Sequence, residues 1–311
     1  MQYTAVSYKI GILAVIILTG FAAVKTGYID IKIKDALSKL IVKIVLPCLI
    51  ISSITSKELE KELIGDIFTV FIMSVFCLLV LFGIGAVTAK VLKIPKGTAQ
   101  VHKLLACLGN VTFVGYPVIT ALYGEEGFFY AIIYWLINDL FLWTFGVFIL
   151  QKSNAENKKA MLKGLLNPNT IAFTISIFML VLGIKLPPLI YDAVDGIGSL
   201  TVGLSMLFIG MALAAVDIKQ AARKWWIFVI APIKLVIMPI VLIYIFHKLG
   251  IKEILLGAVV LEAAMPAQTV LSILANESGA DFEYAACGMF VTTLLSLVTL
   301  PFICFMIKFI V

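Results

Sequence analysis

Apolar residues along this chain come in long, nearly continuous runs, such as Leu63–Ala89 and Tyr284–Val311. A helical run of about 20 apolar residues matches the hydrocarbon thickness of a bilayer. Ten such spans are predicted: Ser7–Val24, Ala36–Ile54, Leu63–Ala89, Leu104–Tyr123, Phe128–Leu150, Thr170–Ile184, Ile197–Val216, Trp225–Phe246, Ile254–Ala275 and Tyr284–Val311. The sixth is short, and the third and tenth are long enough to tilt. In hydrocarbon every backbone N–H and C=O must be satisfied within the element, which leaves helices or a closed barrel. Barrel strands alternate over about ten residues, and these runs do not. The predicted fold class is an all-α integral membrane protein of ten transmembrane helices.

Composition agrees with the pattern. Of 311 residues, 62% are apolar and 14% charged, with a mean hydropathy of +1.12. A soluble domain carries about 25% charged residues, so this chain lacks the polar skin that solubility needs. The net charge of +6 lies in short loops between the runs, which is a topology signal and not a nucleic-acid patch. Fifteen positives border the loops after spans 1, 3, 5 and 7, namely Lys25, Lys32, Lys34, Lys39, Lys90, Lys93, Lys96, Lys103, Lys152, Lys158, Lys159, Lys163, Lys219, Arg223 and Lys224. Seven fall on the opposite side: Lys9, Lys57, Lys61, Lys185, Lys248, Lys252 and Lys308. The positive-inside rule then predicts a multi-pass protein of the plasma membrane with both termini outside. The five cysteines sit inside apolar runs with no CxxC spacing, so neither a metal site nor a disulfide framework is indicated. Ser7–Val24 lacks a cleavage pattern and is expected to remain as the first span.

The longest connector, Gln151–Lys163, divides the chain into five spans and five. The expected organisation is a first five-helix unit (1–150), a cytoplasmic connector (151–169) and a second five-helix unit (170–311). An odd number of spans per unit means that, if the two are repeats, they are inverted. A weak repeat is visible. ALYGEEGFFYA, from Ala121, faces ANESGADFEYA, from Ala275, with four identities in eleven. A displacement of 157 residues sets Asp35 on Asp192 and Gly109 on Pro266.

Helix breakers at matched places in such repeats point to a binding site near the bilayer midplane. The fourth span contains Gly109, Gly115 and Pro117, and the ninth contains Pro266. Proline removes a donor and clashes with the carbonyl one turn earlier. A broken helix frees backbone groups, and the N-terminus of its second half directs partial positive charge at an anion. Asn110 and Gln268 adjoin the two breaks. Ionisable residues at membrane depth are the second pointer, since each costs at least ~2.5 kcal/mol at a helix centre. Lys43, Asp139 (after Asn138), Lys234 and Glu262 qualify. Lys43 lies near enough to a span end to snorkel. Asp139, Lys234 and Glu262 are candidates for ion coupling or for a charge pair, with Lys234 as a partner for one of the acids.

Enzymatic readings find no support. The two histidines, His102 and His247, lie at ends of different spans, and no HExxH, Walker A loop or GxSxG elbow occurs. No cofactor is expected, and no ATP-driven pump within this chain.

At the breaks and around them the sequence resembles the auxin efflux carrier family, which includes the plant PIN-type auxin carriers and bacterial malate permease-like proteins. GNVTFVGYPVITALYG, from Gly109, is the most specific match. LSKLIVKIVLPCLI (from Leu37, with Pro47), INDLFLWTFG (from Ile137), LLNPNTIAF (from Leu165), LSMLFIGMALA (from Leu204), IKLVIMP (from Ile233), AAMPAQTVLSILA (from Ala263) and TTLLSLVTLP (from Thr292) follow in family order. The resemblance implies two inverted five-helix repeats with broken, crossing spans 4 and 9. It implies a scaffold of spans 1, 2, 6 and 7, a transport unit of spans 3–5 and 8–10, a homodimer, and an elevator-like movement. Where plant members have a crossing proline before the asparagine, this chain has Gly109 before Asn110. Pro266 matches the second crossing proline and is followed by Ala267 in place of a polar residue.

The expected function is secondary transport of a small organic anion, an auxin-like monocarboxylate or a malate-like dicarboxylate. The expected substrate-binding residues are Gly109, Asn110, Pro117, Asn138, Pro266 and Gln268. Substrate anion, membrane lipid and a second copy of the chain are the expected partners. The alternatives are a sodium-coupled bile-acid-type carrier of related fold and a non-transporting membrane ligand sensor. The sensor reading is weakened by the absence of a soluble segment large enough for an output domain.

Overall fold

The computed structural model describes residues 2–58, 61–150, 166–214 and 224–311. Among these the chain is helical, with one isolated antiparallel bridge and no β-strand. In the first half, α1 covers Gln2–Lys25, α2 Ile33–Thr55, α3 Lys61–Val91, α4 Lys96–Cys107 and α5 Val111–Leu150. In the second, α6 covers Pro168–Leu182, α7 Pro188–Ala214, α8 Ile227–Lys248, α9 Glu253–Ala263, α10 Val270–Glu277 and α11 Phe282–Ile310. Six of these, α2, α3, α5, α7, α8 and α11, are each long and apolar enough to cross a membrane. Phe68, Leu79 and Val87 of α3, Phe148 of α5 and Val298 of α11 are more than half exposed. Large apolar side chains in that number suit a lipid boundary and not water. The connector Gln151–Lys163, with its four lysines, lies outside the described residues, as do Lys219 and Arg223.

The helix ends differ from the apolar runs in instructive ways. The expected division between the fourth and fifth spans is a kink and not an extended loop. Two helical segments of α5 meet at Gly124 (φ 65°, ψ −155°), a conformation that only glycine adopts without strain. Helix α7 begins at Pro188, nine residues before the predicted start at Ile197. Asp192 and Asp195 lower hydropathy there, but proline in the first turn favours a helix start. At α6 the Asn167 side chain accepts from the N–H groups of Asn169 (2.9 Å) and Thr170 (3.1 Å), and Gly183 (φ 66°) closes the helix. Asn-Pro and Gly thus bound α6 by the usual capping chemistry.

Three π-helical turns each stop two residues before a proline. They are Ile41–Val45 before Pro47, Val111–Gly115 before Pro117, and Ile233–Ile237 before Pro239. The proline ring would strike the carbonyl four residues back, and a wider turn moves that carbonyl aside. A fourth, Leu142–Gly146, has no such proline.

Two groups of helices can be told apart by what holds them. Helices α1 and α7 meet backbone to backbone. A Cβ on Gly20 would collide with the Leu207 carbonyl, and one on Gly210 with the Ile17 carbonyl. Such small-residue contacts are how helices associate where no hydrophobic effect drives them. Gly198 of α7 also lies against the Leu49 backbone of α2, somewhat less closely. Helices α3–α5 and α8–α11 share such a contact, Gly85 of α3 against the Lys103 backbone of α4, and are tied in addition by polar side chains. His102 of α4 joins Thr88 of α3 (2.8 Å) to Tyr284 of α11 (2.6 Å). Lys252, before α9, bonds Glu62 (2.6 Å) and Asp66 (3.0 Å) of α3, and Lys308 of α11 pairs with Glu253. Between the two groups runs an apolar crevice of about 230 Å³, with Leu13, Ile17 and Met206 on one side and Val118, Leu300 and Pro301 on the other. A polar bond that spans the seam is Asn167 Nδ2 to Asp139 Oδ2 (3.2 Å).

Candidate functional site

The two breaks predicted from glycine and proline lie side by side. Helix α4 stops at Cys107 and α5 starts at Val111; α9 stops at Ala263 and α10 starts at Val270. Gly109 and Ala267 pair as an antiparallel bridge, and Asn110 N donates to Pro266 O at 2.7 Å. Irregular backbone inside a membrane protein is tolerated only where its polar groups are satisfied. Here side chains from three other places on the chain do so. Gly109 N donates to Asn138 Oδ1 (3.2 Å) and Ala267 N to Thr292 Oγ1 (2.9 Å). Lys234 Nζ donates to the carbonyls of Ala106 (3.1 Å) and Leu108 (3.0 Å).

Lys234 therefore caps the C-terminal end of α4, where orphan carbonyls carry partial negative charge. It is fully buried in α8, inside the π turn before Pro239. The expectation that it partners Asp139 or Glu262 does not match this geometry, since its ammonium is turned to main-chain acceptors. Asp139 is bonded by Asn167, with Trp143 and Gln268 as further donors. Glu262 lies in the last turn of α9, fully buried, with no hydrogen-bond partner on either carboxylate oxygen among the described residues. Lys43 is exposed on the π turn of α2, as snorkelling requires.

The remaining candidates form a small amide cluster. Asn110 is the N-cap of the first turn of α5, its Oδ1 accepting from Phe113 N at 3.4 Å. In that orientation Nδ2 faces Thr269 Oγ1 at 3.5 Å, long enough to leave donor capacity. Asn138 Nδ2 donates to Gln268 Oε1 at 3.4 Å. Asn138, Lys234 and Glu262 have no exposed surface, whereas Asn110 retains 6% and Gln268 8%. Asn110 and Gln268 are thus the amides of this cluster that keep a little exposed surface. Pro117 lies apart from them, below the π turn in α5.

Two helix N-termini, at Val111 and Val270, open beside these amides. Unpaired N–H groups and the positive end of the helix dipole make such termini ready anion sites. Thr269, Thr292, Asn167 and Trp143 belong to this constellation as well. Asn167 carried a readable signal, a cap before Pro168. Thr292 is indistinguishable in sequence from the other hydroxyls of the last span, and only packing brings it to Ala267.

Residues 5–304 match the family model described as Membrane transport protein. The chain belongs to this family. It is therefore a multi-pass membrane transporter of the auxin efflux carrier-like kind. A relative from Methanothermobacter thermautotrophicus, titled an uncharacterized transporter, is 25% identical over 291 residues, 92% of this chain and 93% of the relative. Another uncharacterized transporter, from Methanocaldococcus jannaschii, is 22% identical over 293 residues, covering 93% and 94% of the two chains. Within this Membrane transport protein chain, the family's match embraces both breaks and every residue named above in this subsection.

Proposed function

We propose that this transporter is a secondary carrier of a small organic anion, bound where the two breaks meet. The observation that carries the reading is the pairing of two helix N-termini with the partly accessible amides of Asn110 and Gln268. Backbone N–H groups and amide donors suit a carboxylate, and a monocarboxylate or a dicarboxylate fits that chemistry.

The movement is of elevator type. Helices α3–α5 and α8–α11 form the moving unit, held together by buried polar ties, and α1, α2, α6 and α7 form the scaffold. The apolar crevice between them supports this, because apolar surfaces slide with few hydrogen bonds to break; the Asn167–Asp139 bond across the seam must open in the movement. In this reading the breaks at 108–110 and 264–269 are crossing points of two inverted five-helix repeats. The Gly20 and Gly210 contacts rigidify the scaffold, through which two copies associate. Both termini face outside at the plasma membrane, from the lysine distribution.

The test is counterflow in proteoliposomes with labelled mono- and dicarboxylates. Asn110→Ala is expected to weaken binding by about 10- to 150-fold, the cost of a hydrogen bond to a charged ligand (roughly 1.5–3 kcal/mol). Unchanged affinity and turnover in Asn110→Ala would remove the amide from the site. External labelling of a single cysteine at position 153, on a cysteine-free background, tests the orientation; rapid reaction in intact cells overturns it.

A further inference from the structure

We propose that Glu262 is a proton-binding site, and that the carrier moves its anion together with a proton held there. The proposal rests on the reading of the paired breaks as the anion site, and it selects Glu262 over Asp139.

The geometry supports a neutral carboxylic acid at this position. Glu262 is fully buried, and neither oxygen has a hydrogen-bond donor among the described residues. An ionised carboxylate in that setting has nothing to replace its hydration, so the neutral form is the one the site can hold. Its place in the last turn of α9 adds to this, because the C-terminal end of a helix disfavours negative charge. The surroundings supply no compensating cation among the described residues. From α5, Tyr116 and Tyr134 face it, with hydroxyls that are themselves unpartnered, and Asp139 lies beyond Tyr116. Cys77 of α3 and Cys107 of α4 border Tyr134. Lys234 of α8 is committed to the Ala106 and Leu108 carbonyls, and Lys308 of α11 to Glu253 at the far end of α9. Asp139, though also buried, differs in having donors, from Asn167, Trp143 and Gln268.

Contact with the anion site gives this proton a role. A Cβ on Gly115 would collide with the Glu262 carboxylate, so the acid lies directly against the first turn of α5. Gly115 N in turn donates to the carbonyl of Asn110 at 3.2 Å. That turn is the one whose N-terminus receives the anion. An anion there and an ionised Glu262 would be two like charges in a medium that screens poorly. The acid must therefore carry its proton while the anion is bound. A proton from the loading side forms the carboxyl O–H bond, and the same bond breaks on the releasing side after the anion departs, where water entering the emptied site takes the proton and solvates the carboxylate. A monoanion and one proton cross as a neutral pair; a dianion with one proton carries one net negative charge.

The experiment uses purified full-length protein in proteoliposomes with a panel of labelled mono- and dicarboxylates and an internal pH dye. In the wild type, transport should acidify the lumen, and a pH gradient should drive roughly tenfold accumulation per pH unit for one proton per monoanion. Glu262→Gln should keep exchange and lose both. Accumulation retained in Glu262→Gln overturns the proposal, and so does wild-type transport without proton movement; the carrier reading survives either result. If no acid on the panel is exchanged by the wild type, the carrier reading falls and this proposal with it. Should Glu262→Gln fail to fold, infrared spectroscopy decides. The wild type should show a protonated-carboxyl band at neutral pH that shifts in Glu262→Asp. A missing band, or one unmoved in that variant, overturns the assignment.

Discussion

The two breaks solve the same backbone problem with opposite electrostatics. At the first, between α4 and α5, a buried ammonium answers the freed carbonyls: Lys234 bonds Ala106 and Leu108. At the second, between α9 and α10, no cation fills that role among the described residues, and the last turn of α9 holds Glu262 without a partner. The helix whose C-terminal end is neutralised by a fixed positive charge is locked. The other ends on a group whose charge depends on whether it holds a proton. Chemically alike interruptions can thus serve as a structural joint and as an adjustable one, and the nearest charged side chain decides which.

The strongest way to break this contrast is to remove the cation. Lys234→Met is expected to leave two buried carbonyls unpaired, at about 1–3 kcal/mol each. Its thermal midpoint in detergent should fall well below that of Glu262→Gln, which removes no hydrogen bond. Equal midpoints for the two variants would end the distinction between a locked and an adjustable break.

Next in size is Gly115→Ala, which forces a methyl group onto the Glu262 carboxyl. Overpacking of this kind costs roughly 1–3 kcal/mol. Glu262→Ala made in the same chain should relieve most of it, giving a coupling energy of about 0.5–3 kcal/mol in a double-mutant cycle. Additive effects would mean that the acid does not lie against the first turn of α5.

The smallest effect concerns the N-terminal end of α4. Asp281 accepts from Thr98 Oγ1 (2.7 Å), Tyr284 N (2.9 Å) and Lys224 Nζ (3.3 Å). Burial by itself raises its carboxyl, but these bonds outweigh it and hold Asp281 below the usual aspartate range. The sign follows: a group depressed in the folded state contributes stability that is full above the unfolded value and is lost as pH falls through the folded one. The Asp281→Asn variant should therefore lose its difference from the wild type as melting is measured at progressively lower pH, below about 4. A difference that persists undiminished at the acid end would assign the contribution to packing.

Much of the site could be read before any coordinates. Gly109, Pro266, Asn110 and Gln268 stand out because proline and glycine at membrane depth are backbone signals, fixed by local stereochemistry whatever surrounds them. Asn138 follows from its polarity inside an apolar run. The π turns went unpredicted although Pro47, Pro117 and Pro239 were in view, because a proline permits a kink, a wide turn or a stop, and the neighbouring helices choose. The helix start at Pro188 was hidden by two aspartates that hydropathy counts against a span.

By itself the sequence determined the solvent, the helical class and the presence of polar residues inside apolar runs, since these depend on composition and short-range geometry summed along the chain. Lys234, Asp139 and Glu262 were therefore known to be buried charges. Their partners were decided by tertiary structure alone. Lys234 is more than 120 residues from the carbonyls it caps, Asp139 receives Asn167 from another helix, and Glu262 receives no donor among the described residues. Electrostatic energy depends on distance through space, and the order of residues along an apolar helix does not contain it.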